Sequence, residues 1–276
     1  MPSLGATTTG PPIGSSVNKQ SAERSPLKDK PLRLPGQSVQ EERDKIVDDV
    51  NSSMIQALMI IVLALLEWYR WFISMPPAPA VYTAAAVLAI VWAYLRFRKV
   101  KPRLRALRLA ADGEKAVGQF LEKLRSEGFQ VFHDVVGDNF NVDHILIGPQ
   151  GVFTVETKTW NKPKNFDARV IFDGVGIKVG QYSPDRDVAV QAKAQASWMQ
   201  RLLLESAGRT VSVRPVVLFP GWFVENTSGF GDLWVLEPKA LPAFIRRQPA
   251  LLGPEDVKLL SFHLSRYVRT ASVVDA

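Results

Sequence analysis

The residues with the clearest capacity for chemistry are an aspartate, a glutamate and a lysine within Asn141–Trp160, which reads NVDHILIGPQGVFTVETKTW. Glu156 and Lys158 stand two apart and share a face if the segment is a β-strand, because strand side chains alternate. Phe153, Val155 and Thr157 then point the other way, into a core. Gly148, Pro149 and Gly151 mark a turn between two apolar runs, which predicts a hairpin of Val142–Ile147 and Val152–Lys158. Antiparallel pairing brings Asp143 to the same end as Glu156 and Lys158. Two carboxylates and an ammonium there suit metal-assisted phosphodiester hydrolysis. Hard oxygens hold Mg²⁺ or Mn²⁺, the metal polarises phosphate and activates water, and the lysine stabilises or orients the attacking species. The same residues admit a plainer reading, in which Asp143 caps a turn and Glu156 with Lys158 is an ordinary exposed pair.

A wider set of residues favours the chemical reading. Gly113-Glu114, the Asp143-His144 pair, the turn Gly148-Pro149-Gln150-Gly151-Val152-Phe153, Glu156-Thr157-Lys158, and Gln191 with Gln195 on a later helix recur in order. From about Asp112 to Leu204 the chain resembles the nuclease-related domain family, NERD, a branch of the PD-(D/E)XK nucleases. The resemblance implies Asp143 and Glu156 as metal ligands and Lys158 as the catalytic lysine. It further implies Glu114, opening a helix, as a carboxylate at the edge of the site, and Gln191 as a residue positioning water or phosphate. Gln195 takes that place if the helix is turned the other way. Val142 stands where many members of the superfamily have proline, a position that carries no chemistry. His144 should pack behind the hairpin rather than bind metal, and His133 and His263 read as isolated structural residues. With no cysteine and only three histidines, a zinc centre is not expected. Gly174, Gly176 and Gly180 lack the strand and helix that a nucleotide-binding fingerprint needs.

The elements that must position these residues are legible in outline. Gly113–Gly128 has helical spacing, with Val117, Phe120, Leu121 and Leu124 on one face. Phe129–Val136 reads as extended, Ala168–Val179 as a strand pair around Asp173-Gly174, and Asp187–Ser206 as a helix. Val211–Phe219 reads as a buried strand, Leu233–Leu236 as a short one, and Pro238–Arg247 and Pro254–Val268 as closing helices. The order predicts an α/β domain, a mixed central sheet flanked by helices, which is also the restriction-endonuclease-like fold that the resemblance implies.

The front half changes composition twice. Residues 1–45 are polar and aperiodic and read as a disordered leader. Residues 46–100 hold two apolar runs, about 54–74 and 78–95, separated by Met75-Pro76-Pro77-Ala78-Pro79. They read as a transmembrane hairpin that stays in the mature protein. Glu67 and Arg70 fall one helical turn apart near the end of the first run, where they can pair beside Trp68, Tyr69 and Trp71. The alternatives are a single span at Ala80–Leu95 after an interfacial helix, or two buried helices of a soluble domain. Residues 101–111 form a basic linker, and 112–276 the catalytic domain.

Between Arg96 and Arg108 lie seven cations and no acid, a strong signal that the domain beyond them is cytoplasmic. The expected location is therefore the inner membrane, multi-pass, with the C-terminal domain in the cytoplasm. The same cluster can attract anionic lipid or a phosphate backbone, and the net charge of +7 fits both. The expected partners are nucleic acid, DNA rather than RNA, the lipid bilayer, and a second copy of the chain, although neither apolar run carries a glycine-rich packing motif. Lys162, Lys164 and Trp160, beyond the active strand, are candidates for backbone or base contact. The rival reading is a membrane-tethered binding or scaffolding module that keeps the fold without hydrolysis.

Overall fold

The computed structural model describes residues 32–74, 79–137, 139–160, 169–179, 188–227, 229 and 231–271. Two long helices come first. Helix α1, Gln37–Phe72, follows Gly36, whose φ of 69° suits glycine at the turn into a helix. It contains neither glycine nor proline and ends at Ile73-Ser74. Helix α2, Pro79–Leu121, begins with proline, whose missing N–H costs nothing in a first turn. The two run antiparallel: Trp68 Nε1 donates to Thr83 Oγ1 at 3.0 Å, and Arg96 and Arg103 reach back to Asp49 and Glu42. Glu67 and Arg70 pair at 3.3 Å, as their spacing predicts.

Two expected boundaries move. Helix α1 starts at Gln37, so the last residues assigned to the leader are helical. Helix α2 runs without interruption through the expected linker, and Gly113-Glu114 lie inside it rather than opening a new helix. Pro102 removes one N–H inside α2, but the Arg, Leu and Ala around it are strong helix formers. Gly113 is needed for closeness, since a side chain there would run into that of Thr159.

After a 3-10 turn, Glu122–Glu127, the chain forms β1 (Gln130–Val136), β2 (Asn141–Gly148) and β3 (Gly151–Thr157), an antiparallel meander. Strands β4 (Arg169–Phe172) and β5 (Ile177–Val179) pair apart from it, and helix α3 (Val188–Ala207) follows. Then come β6 (Val213–Leu218), β7 (Phe223–Asn226), β8 (Trp234–Leu236), a 3-10 turn, α4 (Leu241–Arg246) and α5 (Pro254–Ala271). The main sheet has order β1-β2-β3-β6-β8, with β6 parallel to β3 and β8 parallel to β6. A small sheet, β5-β4-β7, stands beside it.

Each face of the main sheet carries its own core. Val117 and Leu121 of α2 and Ile245 of α4 pack on Leu146, Phe153, Val155 and Leu218. On the other face Met199 and Leu203 of α3 and Leu260 and Leu264 of α5 pack on Ile145, Ile147 and Val152. This is the mixed sheet flanked by helices that the sequence predicts, and β3, buried at every residue, lies at its centre. Strand β7 escaped the sequence reading because Phe223–Asn226 is half-buried or exposed and lacks the apolar alternation of a core strand.

Candidate active site

The β2–β3 register pairs His144 with Val155, and one further step sets Asp143 opposite Glu156. The ladder ends there. Asp143 Oδ2 accepts the Thr157 N–H at 2.6 Å, and the Lys158 N–H turns to Leu218 O on β6 at 2.9 Å. Asp143 therefore does what a capping residue does, and also stands beside the glutamate.

Glu156 is 3% exposed and would be costly to bury without donors. It has three. Lys158 Nζ at 2.5 Å and Gln191 Nε2 at 2.9 Å donate to Oε1, and Gln195 Nε2 at 2.7 Å donates to Oε2. Gln191 Oε1 lies 3.4 Å from Lys158 Nζ, and Gln195 Nε2 also reaches Asn141 O at 3.0 Å. The expectation of one glutamine or the other gives way to both, because four residues of helix bring them to the same face. Glu156 and Lys158 share a face, as strand alternation requires, but the pair is largely buried, unlike the exposed pair of the plainer reading.

Glu114 projects from α2, 7% exposed. Burial first, and then the charges of Asp134 and Glu156, push its carboxyl up to about 7, against the pull of Lys158. Burial, with Glu156 and Glu114, likewise holds Asp143 well above the usual carboxylate range, opposed by the Thr157 N–H and Lys158. Glu114 and Asp143 thus both gain proton affinity beside Glu156 and a single ammonium, an excess of negative charge that a divalent cation would relieve.

The donor set fits such a cation. Among the described residues no three His, Cys, Asp or Glu side chains gather closely enough to form a metal cage. Magnesium, however, is ordinarily held by one or two carboxylates with water and substrate phosphate completing its shell. Glu156 Oε2 accepts one hydrogen bond, and a carboxylate oxygen has two lone pairs.

His144 is fully buried behind the hairpin, as expected, but His133 is not isolated. The two lie opposite each other across β1–β2, with Nδ1 atoms 2.9 Å apart, and His133 Nε2 meets Glu122 Oε1 at 2.8 Å. Burial pulls the proton affinity of both rings down. Trp160 is half-buried, its ring 5.0 Å from that of Phe219. Lys162, Lys164 and Gly180 lie outside the described residues. Sequence reasoning missed Asp134, 2% exposed, which bears on Glu114. No motif spacing marks it, because its partners lie about a hundred residues upstream.

The chain thus sets a carboxylate pair, a lysine and two helix-borne glutamines at the end of the central strand of a layered α/β domain. Residues 109–220 match the model of the nuclease-related domain family, NERD. The match includes Glu114, Asp143, Glu156, Lys158, Gln191 and Gln195. An uncharacterized protein of Bacillus anthracis is 43% identical over 53 residues, covering 17% of this chain and 25% of that protein. The chain thus spans about a quarter of the length of that relative. No solved structure matches.

Proposed function

We propose that the protein is a membrane-anchored nuclease that uses Mg²⁺ or Mn²⁺ to hydrolyse phosphodiester bonds on the cytoplasmic side, in DNA rather than RNA. The observation that carries this reading is the convergence of Asp143, Glu156 and Lys158, gripped by Gln191 and Gln195, inside the family-matching segment. Asp143 and Glu156 would hold the metal, which supplies Lewis acidity toward phosphate and lowers the pKa of water. The chain's own residues do the rest. Gln191 and Gln195 fix the Glu156 carboxylate, the Thr157 N–H fixes Asp143, and Lys158 offers an ammonium to the charge that builds on phosphate. Glu114 holds or releases a proton near neutrality beside them.

Anchoring is supported by two helices long and apolar enough to cross a bilayer. Their large apolar side chains face outward, Leu65 at 64% and Leu88 at 70% exposure, where a soluble core helix would bury them. The basic stretch after the second run favours a cytoplasmic C-terminal domain.

One observation favours the rival binding module: both oxygens of Glu156 already have protein donors. Cleavage of labelled single- and double-stranded DNA and of RNA by the full chain in detergent, with Mg²⁺, Mn²⁺ or EDTA, decides between them. The nuclease predicts metal-dependent cutting that Asp143→Ala and Lys158→Ala abolish. Binding without cutting, in a folded wild type, supports the module.

A further inference from the structure

Just ahead of α1, residues 32–36 cross α2 and reach the edge of the site. Asp134 occupies β1 with φ of 49°, between residues that pair with His144 and Val142, and therefore across from Asp143. Among the described residues, its carboxylate is held from residues 32–36, a strap, from the first turn of α1, and from Asn141. Oδ2 takes Arg33 Nε at 2.6 Å and the Ser38 N–H at 3.0 Å. Oδ1 takes Ser38 Oγ at 2.6 Å and, more distantly, Asn141 Nδ2 at 3.4 Å. Arg33 also donates to Ser38 Oγ and Glu41 Oε2, both at 2.9 Å.

Beneath this clasp Pro35 fills the space that a side chain at Gly118 would need. A side chain at Gly36 would meet Ala111 O at 3.3 Å and Glu114 Oε2 at 3.4 Å. The strap is thus laid directly over Glu114. A buried carboxylate such as Asp134 is stable only with its donors in place, and its nearest donors, Arg33 and Ser38, come from a segment outside residues 109–220.

We propose that Arg33, Ser38 and Asp134 are positioning residues of the candidate site. Their clasp holds the strap over Glu114 and fixes that carboxyl beside Asp143 and Glu156, so the working unit begins at Arg33 rather than with the nuclease-related segment. The inference rests on the nuclease reading, and its test has a readout independent of cleavage. The chain has no cysteine, so the full-length Glu114→Cys variant carries a single thiol whose maleimide labelling reports the cover. Adding Arg33→Ala should speed labelling about tenfold or more, with Ser38→Ala smaller in the same direction.

In the otherwise native chain, Arg33→Ala should lower kcat at least about tenfold while KM for DNA stays within about twofold, and Arg33→Lys should recover part of the loss. Unchanged circular dichroism and burial of the tryptophans separate this from unfolding. If Arg33→Ala itself unfolds the chain, Ser38→Ala carries both readouts. Labelling that ignores the clasp overturns the cover. Faster labelling with unchanged kcat overturns positioning. A wild type that cuts nothing, while labelling still follows the clasp, overturns the nuclease reading and this inference with it.

Discussion

The raised proton affinity of Glu114 makes a quantitative prediction about stability. Its ordinary value is 4.5, and in the folded protein burial and neighbouring carboxylates lift it to about 7. Between those values the folded state binds more protons than the unfolded chain, so stability declines as pH rises through this window and levels off above it. The full shift corresponds to ~3 kcal/mol, and partial exposure of the group brings the expectation to ~2–3 kcal/mol. Glu114→Gln removes the titrating proton. The variant should match wild type near pH 4.5 and exceed it by that amount near pH 8, roughly 4–12 °C in melting temperature for a domain of this size.

Melting followed by the fluorescence of buried Trp222 and Trp234 across this pH range measures it. Asp143, shifted in the same direction, keeps a residual slope in the variant. Saturating Mg²⁺ should flatten the wild-type slope, because a bound cation favours the ionised carboxylates. Parallel curves for wild type and Glu114→Gln, with no advantage at pH 8, would refute the reasoning.

Three further outcomes are expected. Gln195→Leu removes the donor to Glu156 Oε2 and should cost ~1.5–3 kcal/mol in urea unfolding, with kcat reduced and DNA affinity retained. Gly113→Ala places a methyl group against Thr159 and should cost ~1–3 kcal/mol, read as a lower melting temperature, while Lys115→Ala on the exposed side of α2 should be close to neutral. Alkaline carbonate washing of membranes should leave the chain in the pellet, and its release would remove the case for an integral anchor.

The sequence revealed the parts of the site that sit on one hairpin. Alternation placed Glu156 beside Lys158, and the turn at Gly148–Gly151 fixed the register that brings Asp143 opposite. It did not reveal that both Gln191 and Gln195 grip Glu156, because the phase of α3 against the sheet is set by tertiary packing on Met199 and Leu203. The clasp at Asp134 was invisible for a related reason. Arg33 and Ser38 lie in a polar stretch without periodicity, and only the return of α2 along α1 brings that stretch to the domain. The missed pairing of His133 with His144 was recoverable in principle, since extending the hairpin register to β1 sets them opposite.

The continuity of α2 joins these observations. Arg96 and Glu114 are eighteen residues apart, five turns of helix, and so share a face, with Arg103 about 20° from it. Asp49 meets Arg96, Glu42 meets Arg103, and Gly36 lies over Ala111 and Glu114, successive steps of α1 and its strap along a single face of α2. The apolar run and the candidate site are therefore held in phase by one helix, with Glu114 about 28 Å beyond Leu95 along its axis. Inserting one alanine after Arg105 turns everything downstream by about 100° relative to α1. Glu114 would leave the strap, and Asp134 would lose its donors. Labelling at Glu114→Cys should rise and cleavage fall, whereas seven alanines inserted there together with seven between Glu41 and Glu42 of α1 restore both the phase, to within about 20°, and the length, and should recover part of the cover. Equal loss from the single and the matched insertions would mean that the phase of α2 does not couple the apolar run to the site.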